Sequence, residues 1–133
     1  MKTTFKIIDG TLHEYDSNEN LIHRKSSDGY EWWSEYDSNG NEIHFKNSDG
    51  YEYWREYDSN GKEIHYKNSD GYEFWREYDS NGKLIHSKDS NGYEIWCDSN
   101  GKKITKKQFD KLNSSCDGKV VEIDGRKYQL KLV

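Results

Sequence analysis

Apolar and polar positions along this chain recur every 21 residues, and the pattern is written out four times between Glu14 and Trp96. Tyr15, Tyr36, Tyr57 and Tyr78 form one column, and Tyr30, Tyr51, Tyr72 and Tyr93 a second. Trp33, Trp54, Trp75 and Trp96 form a third, Ile22, Ile43, Ile64 and Ile85 a fourth, and His23, His44, His65 and His86 a fifth. Between the aromatic segments two turn signals alternate, Asp37-Ser38-Asn39-Gly40 and Asn47-Ser48-Asp49-Gly50 in one copy. Each opens on an Asx side chain that can cap the turn and closes on a glycine that takes a positive φ at little cost. The intervening segments, 41–46 and 51–57, are short and rich in β-branched and aromatic residues, with no 3.6-residue period. The pattern predicts a mostly β protein: a single-layer antiparallel meander of 21-residue β-hairpin repeats, with roughly eight short strands in the array.

An odd period constrains the geometry, because side chains alternate faces with period 2 and residues 21 apart differ in parity. Columns stay on one face only if one turn has an odd loop and the other an even loop, or if one carries a bulge. The preferred assignment makes Ser48-Asp49-Gly50 the odd, three-residue loop, with Gly50 at the bulge position. It puts Ile43, Phe45, Tyr51, Tyr53 and Tyr57 on one face and His44, Lys46, Glu52, Trp54 and Glu56 on the other. The opposite assignment groups Trp with Ile and His with Tyr.

The pattern divides the chain into three parts. Residues 1–13, with Phe5, Ile7 and Leu12 around Asp9-Gly10, read as a truncated N-terminal capping repeat; residues 14–104 are the hairpin array; residues 105–133 are a C-terminal cap. The last copy is two residues shorter between Trp96 and Asp98, which trims a strand without flipping it. Thr105-Lys106-Lys107-Gln108 has the form of a capping box, opening a helix through Leu112 with Phe109 and Leu112 on one side. Val120 to Ile123 and Arg126 to Leu132 then flank an Asp124-Gly125 hairpin signal.

Composition sharpens this picture. Only 31% of the 133 residues are apolar, too few for a deep core, while 15% are aromatic and can bury area with one edge wet. Twenty basic against 25 acidic residues give a net charge of −5 with signs interspersed, so binding to nucleic acid by phosphate neutralisation is not expected. No apolar run is long enough for a signal peptide or a membrane span, and the reading is a cytoplasmic chain. Cys97 and Cys116 are too few for a disulfide framework, and whether they pair is left open.

The candidate chemistry is sparse. Histidines on equivalent strands would stand about 9.5 Å apart, too far to share one metal ion, and a structural role beside the tryptophans is expected. Asp-Ser-Asn-Gly lacks the glycine position and closing glutamate of a calcium loop. Glu52 and Glu56 recur in three copies, unlike a unique acid/base pair, and read as a solvated strand face opposite Lys46 and Arg55. No enzyme activity, cofactor or metal is expected. The rows 32/53/74/95 and 24/45/66/87 vary within an otherwise fixed repeat, which marks them as solvent- or partner-facing. The candidate partner-binding set is therefore Trp32, Trp33, Phe45, Tyr53, Trp54, Tyr66, Phe74 and Trp75 with Glu52, Glu56, Glu73 and Glu77.

The unit Tyr57-Asp58-Ser59-Asn60-Gly61-Lys62-Glu63-Ile64, followed by Gly71-Tyr72 and Glu77-Tyr78-Asp79, resembles the tyrosine–aspartate (YD, RHS-type) repeat and is similar to variant MORN repeats over roughly residues 14–101. The resemblance implies a β-hairpin repeat whose relatives wrap toxins or contact proteins and lipids, some of them antitoxin-like. With size and charge it leads to the expectation of a non-enzymatic protein-binding module. Such a module would be a small intracellular inhibitor, of immunity, antitoxin or phage-encoded anti-defence (anti-CRISPR-like) type, that occludes a partner protein. Two alternatives stand beside it: a glycan- or choline-binding aromatic repeat, and a structural array self-associating through sheet edges.

Overall fold

The computed structural model describes residues 2–114, 120–123 and 125–129. Eleven strands follow one another in space in chain order and form one open antiparallel sheet. They are β1 (Thr4–Ile8), β2 (Thr11–Tyr15), β3 (Leu21–Lys25), β4 (Glu31–Tyr36), β5 (Glu42–Asn47) and β6 (Glu52–Tyr57), then β7 (Glu63–Asn68), β8 (Glu73–Tyr78), β9 (Leu84–Asp89), β10 (Glu94–Cys97) and β11 (Lys103–Ile104). Helix α1 (Lys106–Asn113) follows, and β12 (Val120–Ile123) pairs with β13 (Arg126–Gln129) in a separate ladder. The expected single-layer meander holds, with eleven strands in place of about eight, because the N-terminal hairpin and the trimmed last copy join the same sheet. Residues 130–132, expected to continue the last strand, and Asp124 lie outside the described residues, as does Cys116 with its pairing to Cys97.

Both turn types prove to be three-residue loops. In one, Asn47 N–H donates to the Tyr51 carbonyl and Gly50 N–H to Asn47; in the other, Asp37 N–H donates to Asn41 and Gly40 N–H to Asp37. The leading Asx side chain closes each loop, as where Asp37 Oδ1 accepts from Asn39 and Asn41 N–H at 2.9 Å. Gly40 and Gly50 take φ of 83° and 88°, the left-handed values that a side chain would strain. In the corresponding loop of the first copy this position is Glu19, which adopts φ 66° in spite of its Cβ.

With two odd loops, the odd period is absorbed elsewhere. Glu35 pairs with His44 while its neighbour Tyr36 pairs with Glu42, so Ile43 is an extra residue in β5. The same shift recurs at Ile22, Ile64 and Ile85. The isoleucine column is thus a row of β-bulges. This corrects the expected place of Ile43, which as the extra residue does not alternate with its neighbours in the ladder and lines a hollow with Glu35, His44, Trp54 and Glu56 as well as Tyr57. The Ser48-Asp49-Gly50 assignment itself is right: His44 faces Trp54 and Phe45 faces Tyr53 across it.

The tyrosine column serves the bulges. Where the ladder to the preceding strand ends, Tyr36 Oη donates to the Leu21 carbonyl at 3.0 Å, and Tyr57 to Glu42 at 3.0 Å. Tyr78 makes the equivalent bond to Glu63 at 3.4 Å. Each accepting carbonyl belongs to the residue just before the bulge, and without the phenol it would lose its ladder partner. At the opposite end Ser48, Ser69 and Ser90 extend the pairing, each N–H donating to the glutamate carbonyl of the preceding copy at 2.8 Å.

No second layer covers the array. Among the described residues only Ser34 and Cys97 are buried, so stability rests on cross-strand pairs and half-buried rings rather than a core. Helix α1 opens with the expected capping box, Thr105 accepting from Gln108 N–H while the Gln108 side chain accepts from Thr105 N–H. Its Phe109 ring lies 6.5 Å from His86, over the C-terminal end of one face, while Leu112 stays exposed.

Candidate functional site

The register sorts the repeat into two chemically different faces. On the first, each histidine stands opposite a tryptophan on one neighbouring strand and a glutamate on the other, as His65 does between Trp75 and Glu56. The imidazoles stack on the indoles at centroid distances of 5.2, 5.3, 5.5 and 5.4 Å, with planes within 17° of parallel. Lys46, Lys67 and Lys88 hold the complementary place, opposite a tryptophan and a glutamate, as Lys46 does between Trp33 and Glu52. Lys46 Nζ lies 5.2 Å from the Trp33 ring. Trp33, Trp54 and Trp75 are thus packed on one side by imidazole, with a lysine at the register position on the other, where Trp96 has Ile104.

Every histidine of the array sits in a carboxylate bracket. His65 Nε2 is 2.8 Å from Glu73 and its Nδ1 3.3 Å from Glu56. His23 lies between Glu14 at 3.3 Å and Glu31 at 2.7 Å, His44 between Glu35 at 3.6 Å and Glu52 at 2.7 Å, and His86 between Glu77 at 3.3 Å and Glu94 at 2.8 Å. Burial alone lowers the His65 pKa, but its hydrogen bonds to Glu73 and Glu56 and their charges prevail and hold it above the ordinary imidazole value. Glu31, Glu52 and Glu73 are half-buried, whereas Glu35, Glu56 and Glu77 keep 68, 67 and 65% of their side chains exposed. The expected neighbours of Glu52 and Glu56 were Lys46 and Arg55. Lys46 is there, but Arg55 points to the other face, where its Nε is 3.3 Å from Glu63, and histidine takes its place. The signal for the bracket is present in the sequence: each of these histidines has Glu nine residues before it and eight after it.

The second face carries basic as well as acidic side chains, with Arg55 and Arg76 beside Glu63, and a continuous ring ladder. Trp32, Phe45, Tyr53, Tyr66 and Phe74, one from each strand β4 to β8, follow at centroid distances of 5.9, 5.0, 5.7 and 5.4 Å. Arg55 caps Tyr53 at 4.7 Å and Arg76 caps Phe74 at 4.1 Å. Glu42 accepts from Ser34 Oγ at 2.8 Å and from the Tyr53 hydroxyl. Burial of its ring, then the bond to Glu42, pushes the Tyr53 phenol well above its ordinary pKa. The two variable rows stand opposite each other here, Arg24 with Trp32, Phe45 with Tyr53, Tyr66 with Phe74 and Ser87 with Ile95. Each copy therefore varies a cross-strand pair, and the variation is accounted for by pair packing.

The structure divides the twelve candidate partner-binding residues between these faces. Trp33, Trp54, Trp75, Glu52, Glu56, Glu73 and Glu77 belong to the histidine face, while Trp32, Phe45, Tyr53, Tyr66 and Phe74 make the ring ladder. Trp54 and Trp75 are each 41% exposed. Glu35, absent from the sequence-derived set, joins Glu56 and Glu77 in the most exposed acidic row.

Neither a family model nor a curated protein matches the chain. One solved structure to which it is similar is an alternansucrase in complex with isomaltononaose, at 21% identity and a TM-score of 0.23. The match covers 97% of this chain and 11% of that one, so the chain spans about a tenth of that protein's length. A likeness at this level carries no argument about function. No helix among the described residues is long and apolar enough to cross a membrane.

Proposed function

We propose that this chain is a non-catalytic protein-binding module that acts in the cytoplasm as a small inhibitor, of immunity, antitoxin or anti-CRISPR-like type, by laying its histidine–tryptophan face over a basic surface of one partner protein. The observation that carries the reading is the acidic excess of that face. Each copy places two glutamates and one lysine on that face, and the outermost row, Glu35, Glu56 and Glu77, is about two-thirds exposed beside the exposed edges of Trp54 and Trp75. Equivalent side chains repeat about every 9.5 Å across the strands, so the charge is laid out as a regular row on an open sheet. Complementary charge over such an area steers association and fixes register, and the aromatic edges supply apolar contact.

The ring geometry also weighs against the glycan or choline alternative, which needs open ring faces. Here the imidazole covers one face of each indole, and the ladder rings stack on each other. The test is capture of partners from a lysate of the cells that carry the gene, comparing the native chain with E35K/E56K/E77K and with the opposite-face variant R76E. A stoichiometric protein retained by the native chain and R76E, and weakened about a hundredfold or more by the triple reversal, is expected. Absence of any stoichiometric partner, or a partner indifferent to the reversal, refutes the reading.

A further inference from the structure

The bracketed histidines make the charge of the docking face depend on pH. Per copy that face carries two glutamates against one lysine, with one imidazole held between the two carboxylates. While the imidazoles are neutral the face is acidic; once each holds a proton, positive and negative charges are equal in number. The groups facing His65 are Glu56 from β6 and Glu73 from β8, with Lys67 two residues along its own strand and the uncharged Trp75 stacked over it. His44 has the same surroundings in Glu35, Glu52, Lys46 and Trp54. Around His65 the two carboxylates outnumber the one lysine, so the local field there favours the imidazolium.

We propose that the Glu–His–Glu brackets form a proton-operated switch on this face, which grips a basic partner near neutral pH and lets it go on mild acidification while the fold itself grows firmer. The release half rests on the acidic-face reading above; the proton-uptake half does not. The sign follows from linkage. A folded-state pKa raised above the unfolded value near 6.5 gives stability that is fully present below that unfolded value and is lost as pH rises through the folded pKa. Acidification from about pH 7.5 to about pH 5.5 therefore stabilises the chain through His65 while proton uptake reduces the acidic excess that a cationic partner would meet.

The test has two arms. In the first, NMR of the intact chain follows the His65 ring through a pH titration, in the native chain and in E56Q/E73Q, which keeps hydrogen-bonding groups but removes the charges. A native midpoint above 6.5 that falls in the double variant supports the switch; a native midpoint at or below 6.5, or one the double variant leaves unmoved, overturns it. In the second, a decalysine peptide is titrated against the native chain. Binding weaker by about tenfold at the lower pH, the scale expected when several exposed charge contacts are neutralised together, supports the release half. Equal binding at both pH values overturns it. If the His65 titration behaves as expected but the peptide binds at neither pH, proton uptake stands and the acidic docking reading falls.

Discussion

Deleting Ile64 leaves a folded, correctly faced sheet, whereas deleting Tyr66 two residues later abolishes the cooperative fold from β7 onward. The contrast follows from where the odd residue of the repeat resides. With Ile64 removed, Glu63 and His65 become neighbours, alternate normally, and still meet Tyr57 and Glu56, because the register already skips the isoleucine. What is lost is one half-buried aliphatic side chain and the local twist of the bulge, a cost of about 2 kcal/mol. With Tyr66 removed, the Ser-Asp-Gly hairpin still pairs Lys67 with Glu73, but His65 then meets Phe74 in place of Trp75. Every side chain of β8 would be inverted relative to the first half of β7, and each later copy would inherit the conflict. Amide chemical-shift dispersion and thermal unfolding of the two variants separate these outcomes. Equal tolerance of both deletions, or the reverse order, contradicts the bulge assignment.

The second large effect is expected at Tyr53, the middle ring of the ladder. Its ring packs on Phe45 at 5.0 Å and Tyr66 at 5.7 Å, supports Arg55 at 4.7 Å, and its hydroxyl donates to Glu42. Truncation to alanine breaks the ladder into two halves and leaves the Glu42 carboxylate short of a donor. A loss of about 3 kcal/mol is expected, lowering the unfolding midpoint by about 10 °C. Tyr53→Phe, which keeps the ring, should retain more than half of that stability. If the two variants are equally destabilised, the hydroxyl rather than the ladder dominates; if neither is, the ladder is ornamental to stability.

Much of this architecture was legible in the columns. The three-residue Ser48-Asp49-Gly50 loop and the grouping of His44, Lys46, Glu52, Trp54 and Glu56 follow from turn chemistry and parity, and so does the capping box at Thr105. The bulge position was not legible, because parity demands one extra residue per repeat without saying where, and no residue type marks a bulge the way glycine marks a left-handed turn. Isoleucine is an ordinary strand residue. The function of the Tyr36 and Tyr57 hydroxyls, which fill the carbonyls beside the bulges, was hidden for the same reason. The brackets around His44 and His65 were legible in principle: once the register is known, glutamates at fixed offsets before and after each histidine fall on its two neighbouring strands. Without the register, those glutamates read as an ordinary solvated strand face. The faces of Trp54 and Tyr53 could be told apart from sequence, but the pairing of the variable rows could not, because their variation looks the same whether they meet each other or a partner.

If one face docks and the other holds the sheet together, carboxylate and tyrosine footprinting of the chain with its captured partner will tell the two faces apart. Protection of Glu35, Glu56 and Glu77, with Tyr53 and Tyr66 modified as readily as in the free chain, is the predicted result. Protection of Tyr53 and Tyr66 with the glutamate row left open would place the partner on the ring ladder and rule out docking through the histidine face.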